Sequence, residues 1–420
     1  MTLSPNPPPS LLRAQPEHLQ FLREDATRQV DFFRPSLRAD GTFCTLDLQG
    51  APLPDDVQEL HTTTRLVHSF ALAQKAGLPD THATIDAGLD CLWTRHRDTD
   101  FGGYVWSFDA NGVKDGTKLA YGHVFVLLAA ASAKMVDHPE ADRLLADVRA
   151  VIDAHYWDEA AGLLRDEFTR DWQPFSSYRG MNANMHAVEA FLTAYEATGD
   201  QVYLDRAGRI LSFFVGKIAP QHGGRLPEHY TENWQVDAGY SGNPMFRPAG
   251  STPGHSFELG RLLLQHWDLS GRPDGTEAPA RARHLIERAL EDAWDPTAGG
   301  FYYTLDTTGT PDIKTRYWWP VAEAMGALSA LQNLDGGTPS DEAWYRKVWE
   351  FAHTHLIDTD AGGWYPELDA QNRPCGHQFA GKPDLYHALQ AVFLPQLSGL
   401  SHMARALEQK AKTPTPPAVR

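Results

Sequence analysis

Cysteine is scarce in this chain of 420 residues: Cys44, Cys91 and Cys375 are the only three, an odd number with neither CxxC nor metal-ligand spacing. That excludes a disulfide framework and suits a reducing cytoplasm. Positive charge is also in deficit. Lys and Arg number 37 against 54 Asp and Glu, a formal net charge of −17, so no basic surface exists to neutralise phosphates and nucleic acid is not an expected partner. Long apolar runs are missing too: "VFVLLAAASA" from Val124 is about half of the roughly 20 residues a membrane span requires. The start, "MTLSPNPPPSLLRAQPEHLQ", lacks the basic end, apolar centre and cleavage site of an export signal. A soluble cytoplasmic protein is expected, with a flexible Pro-rich segment over 1–18, one domain over 19–405 and a flexible tail over 406–420.

What the chain does have is hydrophobic content of 42% with 11% aromatic residues, enough for a large core. It also repeats. Apolar helical patterns begin at "TRLVHSFALA", "GHVFVLLAAA", "MHAVEAFLTA", "GHSFELGRLL", "WPVAEAMGAL" and "YHALQAVFLP". The second position of each falls at Arg65, His123, His186, His255, Pro320 and His387, a period of roughly 60 to 70 residues. Three residues on stand His68, Val126, Glu189, Glu258, Glu323 and Gln390, nearly one helical turn away and on the same face. Before each pattern comes a Gly turn flanked by aromatics, such as "DTDFGGYVWSFDANG" or "DPTAGGFYYTLDTTG", which predicts a β-hairpin. After each comes a more amphipathic helix such as "EADRLLADVRAVIDAHYW".

A helix apolar on most faces is buried, and an amphipathic one covers it. Six of each predict an all-α fold, an (α/α)6 barrel, with the hairpins gathered at the mouth where the inner helices begin. An open solenoid of helix pairs would share the period, but would not explain why imidazoles, an arginine and carboxylates recur at one depth.

The motifs "RLVHSF", "YGHVF", "MNANMHAVEAF", "TPGHSFELGRLLL", "RYWWPVAEA" and "GKPDLYHALQA" resemble, in order and over about residues 20 to 400, the N-acylglucosamine 2-epimerase superfamily, and within it the mannose isomerase and sulfoquinovose isomerase branch. The resemblance implies the same barrel, a free monosaccharide as substrate, no cofactor and no metal. It assigns His255 and His387 as an acid/base pair, with Glu258 fixing the tautomer of His255. Arg65, Tyr121, Asn182 and His186 match residues that bind sugar hydroxyls and polarise the carbonyl oxygen. Trp318, Trp319 and Glu323 match an aromatic and carboxylate wall, of which adjacent Trp318 and Trp319 are not expected both to face one axis.

The chemistry needs such groups. The hydrogen on C2 of an open-chain aldose is weakly acidic, so removal requires a base poised near neutral pH, here His387, and donors fixed around the carbonyl oxygen, here Arg65 and His186. Return of the proton to C1 of a cis-enediol gives a ketose, and return to the opposite face of C2 gives the epimer. Epimerases of the superfamily carry a tryptophan five residues before the last histidine, where this chain has Lys382; that favours isomerisation, of D-mannose to D-fructose or D-lyxose to D-xylulose. Arg247 in "GYSGNPMFRPAGSTPGH" keeps a sulfonated sugar open. A glycoside hydrolase of the same barrel, using Glu258 and Glu323, is the alternative of another class. His61, His68 and His123 read as structural. No spacing offers three zinc ligands. A monomer or homodimer is expected, with no membrane partner.

Overall fold

A computed structural model describes residues 11–334 and 337–412. Its helices run in the order α1 (Pro16–Phe33), α2 (Leu60–Lys75), α3 (His82–Cys91), α4 (Ala120–Met135), α5 (Ala141–Val151), α6 (Met181–Thr198), α7 (Gln201–Leu211), a single turn α8 (Ala219–Gln221), α9 (Pro253–Leu269), α10 (Ala278–Ala293), α11 (Trp318–Asn333), α12 (Pro339–His355), α13 (Tyr386–Phe393) and α14 (Met403–Lys412). Six of them form an inner ring: α2, α4, α6, α9, α11 and α13 pack in succession and α13 returns to α2. Behind them stand α3, α5, α7, α10 and α12, and the outer partner of α13 is the first helix, α1. The fold is the (α/α)6 barrel.

The two layers follow from side-chain pattern. Every residue of α4 from Gly122 to Ala133 is buried, as an inner helix with neighbours on all sides must be. In α5 only Ala141, Leu144, Leu145 and Val148 are buried, the i, i+3, i+4, i+7 stripe of a helix that covers a core on one side.

The hairpins are present and do more than link helices. The strand leading into each inner helix pairs with the hairpin of another module: Gln58–Glu59 with Ser107–Phe108, Lys118–Leu119 with Glu167–Phe168, Arg179–Gly180 with His229–Tyr230, and Arg316–Tyr317 with Glu367–Leu368. Ser251 bridges Leu305, and Lys382 bridges Leu46, which closes the circle. Glycine pairs make the tips possible, since Gly102, Gly103, Gly299, Gly300, Gly362 and Gly363 all have positive φ.

Helical order intrudes on both expected flexible ends. α1 begins at Pro16, and α14 continues to Lys412 with Ala404 and Leu407 buried; the remainder of the expected ends, 1–10 and 413–420, lies outside the described residues. No helix among the described residues is long and apolar enough to cross a membrane.

Candidate active site

A cavity of about 360 Å³ opens at the end of the barrel where the inner helices start. It holds the volume of about twelve waters, the scale of one monosaccharide. Arg65, Tyr121, Asn182, His186, Arg247, His255, Glu258, Trp318, Trp319 and His387 all line it. Glu323 lies one layer beneath.

Each of the two histidines assigned as acid and base is braced by a buried carboxylate. His387 Nδ1 lies 2.7 Å from Glu323 Oε1, and His255 Nδ1 lies 2.9 Å from Glu228 Oε1. An Nδ1–H donating to a carboxylate fixes the tautomer and leaves Nε2 as the lone-pair nitrogen. The partner of His255 is thus Glu228, and the expectation of Glu258 in that role is corrected. Glu228 stands in the hairpin 27 residues before His255 and also accepts Thr252 N at 3.0 Å, tying the start of α9 to the brace. Both rings pack on Trp319, with centroids 5.0 Å away for His255 and 5.6 Å for His387. Gly254 permits this: a Cβ there would lie 2.3 Å from the Trp319 ring.

Trp318 and Trp319 both line the cavity, against the expectation that only one would. They are the first two residues of α11, so they project at the mouth, where side chains one step apart reach the same space; Trp318 meets His387 edge-on at 6.3 Å.

Arg65 donates from Nη1 to Asp384 Oδ2 at 3.0 Å and from Nη2 to Tyr121 Oη at 2.9 Å, and its guanidinium lies 4.8 Å from the Phe125 and Tyr386 ring centroids. Despite the cost of burial, Tyr121 and Asp384 hold it firmly cationic. His186 has its pKa lowered to about 4 by burial and is therefore a neutral donor near pH 7. Its Nδ1 is 3.5 Å from Glu258 Oε1 and 3.8 Å from Glu189 Oε2. Glu258 is fully buried, and burial, with Glu323 and Glu189 nearby, raises its carboxyl well above the usual range. Arg261 Nη2, 3.5 Å from Glu323 Oε2, is the cation of this layer. Glu189 faces the barrel interior, bonded by Tyr386 Oη and, at 3.2 Å, by Gln390 Nε2.

Arg247 donates to Glu167 Oε2 at 2.6 Å and lies 4.1 Å from the Tyr178 ring centroid, so its charge is already matched. Lys382 turns away from the cavity, its Nζ 2.7 Å from Asp358 Oδ2 and 2.6 Å from Gly362 O. His123 bonds Tyr104 N and Leu119 O, and His68 bonds Ser132 Oγ, as structural residues do. His61 departs from that reading, since it lines the cavity, stacked on Trp106 at 5.1 Å. Glu59, Asp166, Tyr178, Phe379 and Asp384 also line it and carried no helical-periodicity signal, being in hairpins and loops. Three groups gather possible ligand atoms within 4.8 Å of one another from residues far apart in the sequence: His186, Glu189 and Glu258; Glu258, Glu323 and His387; and buried Glu367 with Cys375 and exposed His377. In the buried groups His387 and Glu323 bond each other, while both Glu258 oxygens have no hydrogen-bond partner.

An (α/α)6 barrel enclosing two carboxylate-braced imidazoles, a clamped arginine and a tryptophan wall is equipped for proton transfer on a small polar molecule. The N-acylglucosamine 2-epimerase (GlcNAc 2-epimerase) family model matches residues 41–391, and the chain belongs to that family of isomerases. It is 41% identical over 407 residues to the D-mannose isomerase of Thermobifida fusca, covering 95% of this chain and 99% of that one. Among solved structures, a D-mannose isomerase superposes with a TM-score of 0.84 at 31% identity, covering 90% of this chain and 97% of the other. The cellobiose 2-epimerase from Spirochaeta thermophila DSM 6192 shares the fold, with a TM-score of 0.79 at 21% identity over 94% of this chain and 98% of that one.

Proposed function

We propose that the protein is an aldose–ketose isomerase that interconverts D-mannose and D-fructose through a cis-enediol. The observation that carries this is the pair of imidazoles, each with Nδ1 committed to a buried carboxylate and placed in a cavity of monosaccharide size. His387 Nε2 takes the proton from C2 of the open-chain aldose, and Glu323 stabilises the imidazolium that results. Arg65 and neutral His186 donate to the carbonyl oxygen as charge builds there. The proton returns to C1 from the same base. His255, held by Glu228, serves proton exchange with the sugar oxygens. No metal or cofactor has a step in this scheme.

Two observations narrow the alternatives. Arg65 and Arg247, the arginines of the cavity wall, are each paired with a carboxylate, which favours an uncharged sugar over a sulfonated one. Lys382 is directed at Asp358, so that position offers no platform on which an intermediate could stack and turn over; this favours isomerisation over epimerisation. A hydrolase would need Glu258 and Glu323 free to flank a glycosidic bond, and Glu323 is bound to His387.

Proton NMR time courses in deuterium oxide test the proposal. Mannose should give fructose first, and fructose should give mannose labelled at C2, with glucose late or minor. His387→Ala should slow both directions by about 100- to 10,000-fold. Glucose outrunning fructose from mannose, or a tenth of the rate surviving in the variant, would overturn it.

A further inference from the structure

One buried acid of the cavity wall has no part in that chemistry. Asp166 is 6% exposed, lines the cavity and is clamped in place: its backbone oxygen accepts Ala120 N at 2.8 Å, and its Oδ2 accepts Gly180 N at 2.9 Å. Gly180 precedes the first turn of α6, so the carboxyl is fixed to the start of an inner helix as Glu228 is fixed to the start of α9. Glu228 also takes His255; three residues into α6 stands Ala183, which has no polar group to offer, and among the described residues no hydrogen bond or ion pair reaches the other carboxyl oxygen of this lining residue. Among the described residues no cation forms an ion pair with it, although the Arg247 and Arg179 charges lie close enough to act on it. Arg247 is bound to Glu167, and Arg179 donates to Tyr178 O at 2.8 Å. Tyr178, beside Asp166 in the wall, bonds His229 Nδ1 at 2.9 Å, and His229 Nε2 donates to Pro248 O.

The position of this acid in the ring matters. In the order α2, α4, α6, α9, α11, α13, α6 stands opposite α13, which bears His387, and the wall beside α13 holds Arg65 and Asp384. His186, which reaches the carbonyl end with Arg65, stands six residues further into α6 than Gly180, so a sugar held by His387, Arg65 and His186 leaves its other end toward the mouth, where Asp166 is fixed to Gly180. We propose that Asp166 is a substrate-binding residue whose cavity-facing carboxyl oxygen hydrogen-bonds a hydroxyl at the end of the sugar remote from C1. This rests on the reading of the cavity as a monosaccharide site.

The inference has a signature that a merely structural acid would not give. Burial raises the Asp166 carboxyl to about 8, with the neighbouring Glu167 charge adding to it against the opposing Gly180 N–H and Arg247. An uncharged sugar filling the cavity displaces the water that would solvate the carboxylate, so the proton binds more tightly in the complex than in the free enzyme. By reciprocity the protonated enzyme binds sugar more tightly.

The test uses D-mannitol, which cannot react, as the binding probe, alongside mannose turnover. Wild-type enzyme should take up a proton on binding mannitol at pH 8.5, read by calorimetry in two buffers of different ionisation enthalpy, and KM for mannose should rise about tenfold between pH 7 and pH 9 with kcat changing far less. Asp166→Asn, which keeps an acceptor for Gly180 N and a donor for the sugar, should abolish both the uptake and the rise. Asp166→Ala should raise KM about tenfold at pH 7. Equal proton uptake in wild type and Asp166→Asn, or a loss confined to kcat, overturns the assignment while leaving the isomerase standing. Failure of wild type to bind or turn over any sugar overturns both.

Discussion

At the scale of single residues, the unusual group is Glu258, a buried carboxyl in the cavity wall with both oxygens lacking hydrogen-bond partners. Burial and the nearby carboxylates of Glu323 and Glu189 raise its pKa, so the folded protein keeps a proton that the unfolded chain gives up above about pH 4.3. Below that pH both states are protonated and no stability is lost. As pH rises toward the folded-state value, stability falls by at most about 1.4 kcal/mol per pH unit for one proton. Glu258→Gln has the same shape and no proton to lose. Urea unfolding of both proteins from pH 5 to pH 8 should show the stability difference moving steadily in favour of the variant. A difference that stays constant with pH would mean that Glu258 is ionised in the folded state.

At the scale of elements, one staple recurs around the crown. Lys118 Nζ is 2.9 Å from Asp98 Oδ2 and 2.7 Å from Gly102 O, five residues before His123. Lys382 repeats the arrangement on Asp358 and Gly362, five residues before His387, and Arg316 repeats it on Asp295 and Gly299. Each ties a hairpin tip to the strand that enters an inner helix. Lys382→Ala leaves Asp358 buried without its cation and should cost about 3–5 kcal/mol, measured by urea unfolding. Because the two residues act as one unit, adding Asp358→Ala should cost much less than the sum of the single changes. Additive losses would show that the staple carries no joint stability. Lys382→Trp should behave as a destabilised isomerase rather than an epimerase, since this side chain leads away from the cavity.

These staples mark where sequence reasoning stopped. The inner helices were legible because burial on all faces leaves unbroken apolar runs, and the polar residues at their starts stood out in register. Glu228 was not legible as the brace of His255, because it lies in a hairpin, while Glu258 offered an apparent partner one turn away; in α9 that turn carries Glu258 down to His186 instead. The pairing of Arg247 with Glu167 has no local signal, because Glu167 lies 80 residues earlier. The strand pairs of the crown join different modules and have no local signal at all. Trp318 and Trp319 share the cavity because the one-face rule of a helix interior does not bind the first turn of α11.

At the scale of the whole molecule, the barrel is closed by its two ends. α1 is the outer helix of α13, although about 350 residues of sequence separate them, and such long-range closure makes every module depend on the last contact formed. Gln29 Nε2 donates to Ala388 O at 3.2 Å, next to His387, and Trp364 Nε1 donates to Asp25 Oδ2 at 3.0 Å. Leu22 is fully buried in the same helix. If the ring is one cooperative unit, damage to α1 must weaken the entire barrel. Leu22→Ala should cost about 2–5 kcal/mol, and its urea midpoint should fall by the same amount whether followed by helix circular dichroism, tryptophan fluorescence or isomerase activity. Activity lost at lower urea than the helical signal would mean that the α1–α13 seam opens by itself, so that α13 leaves the site while the other five modules remain folded.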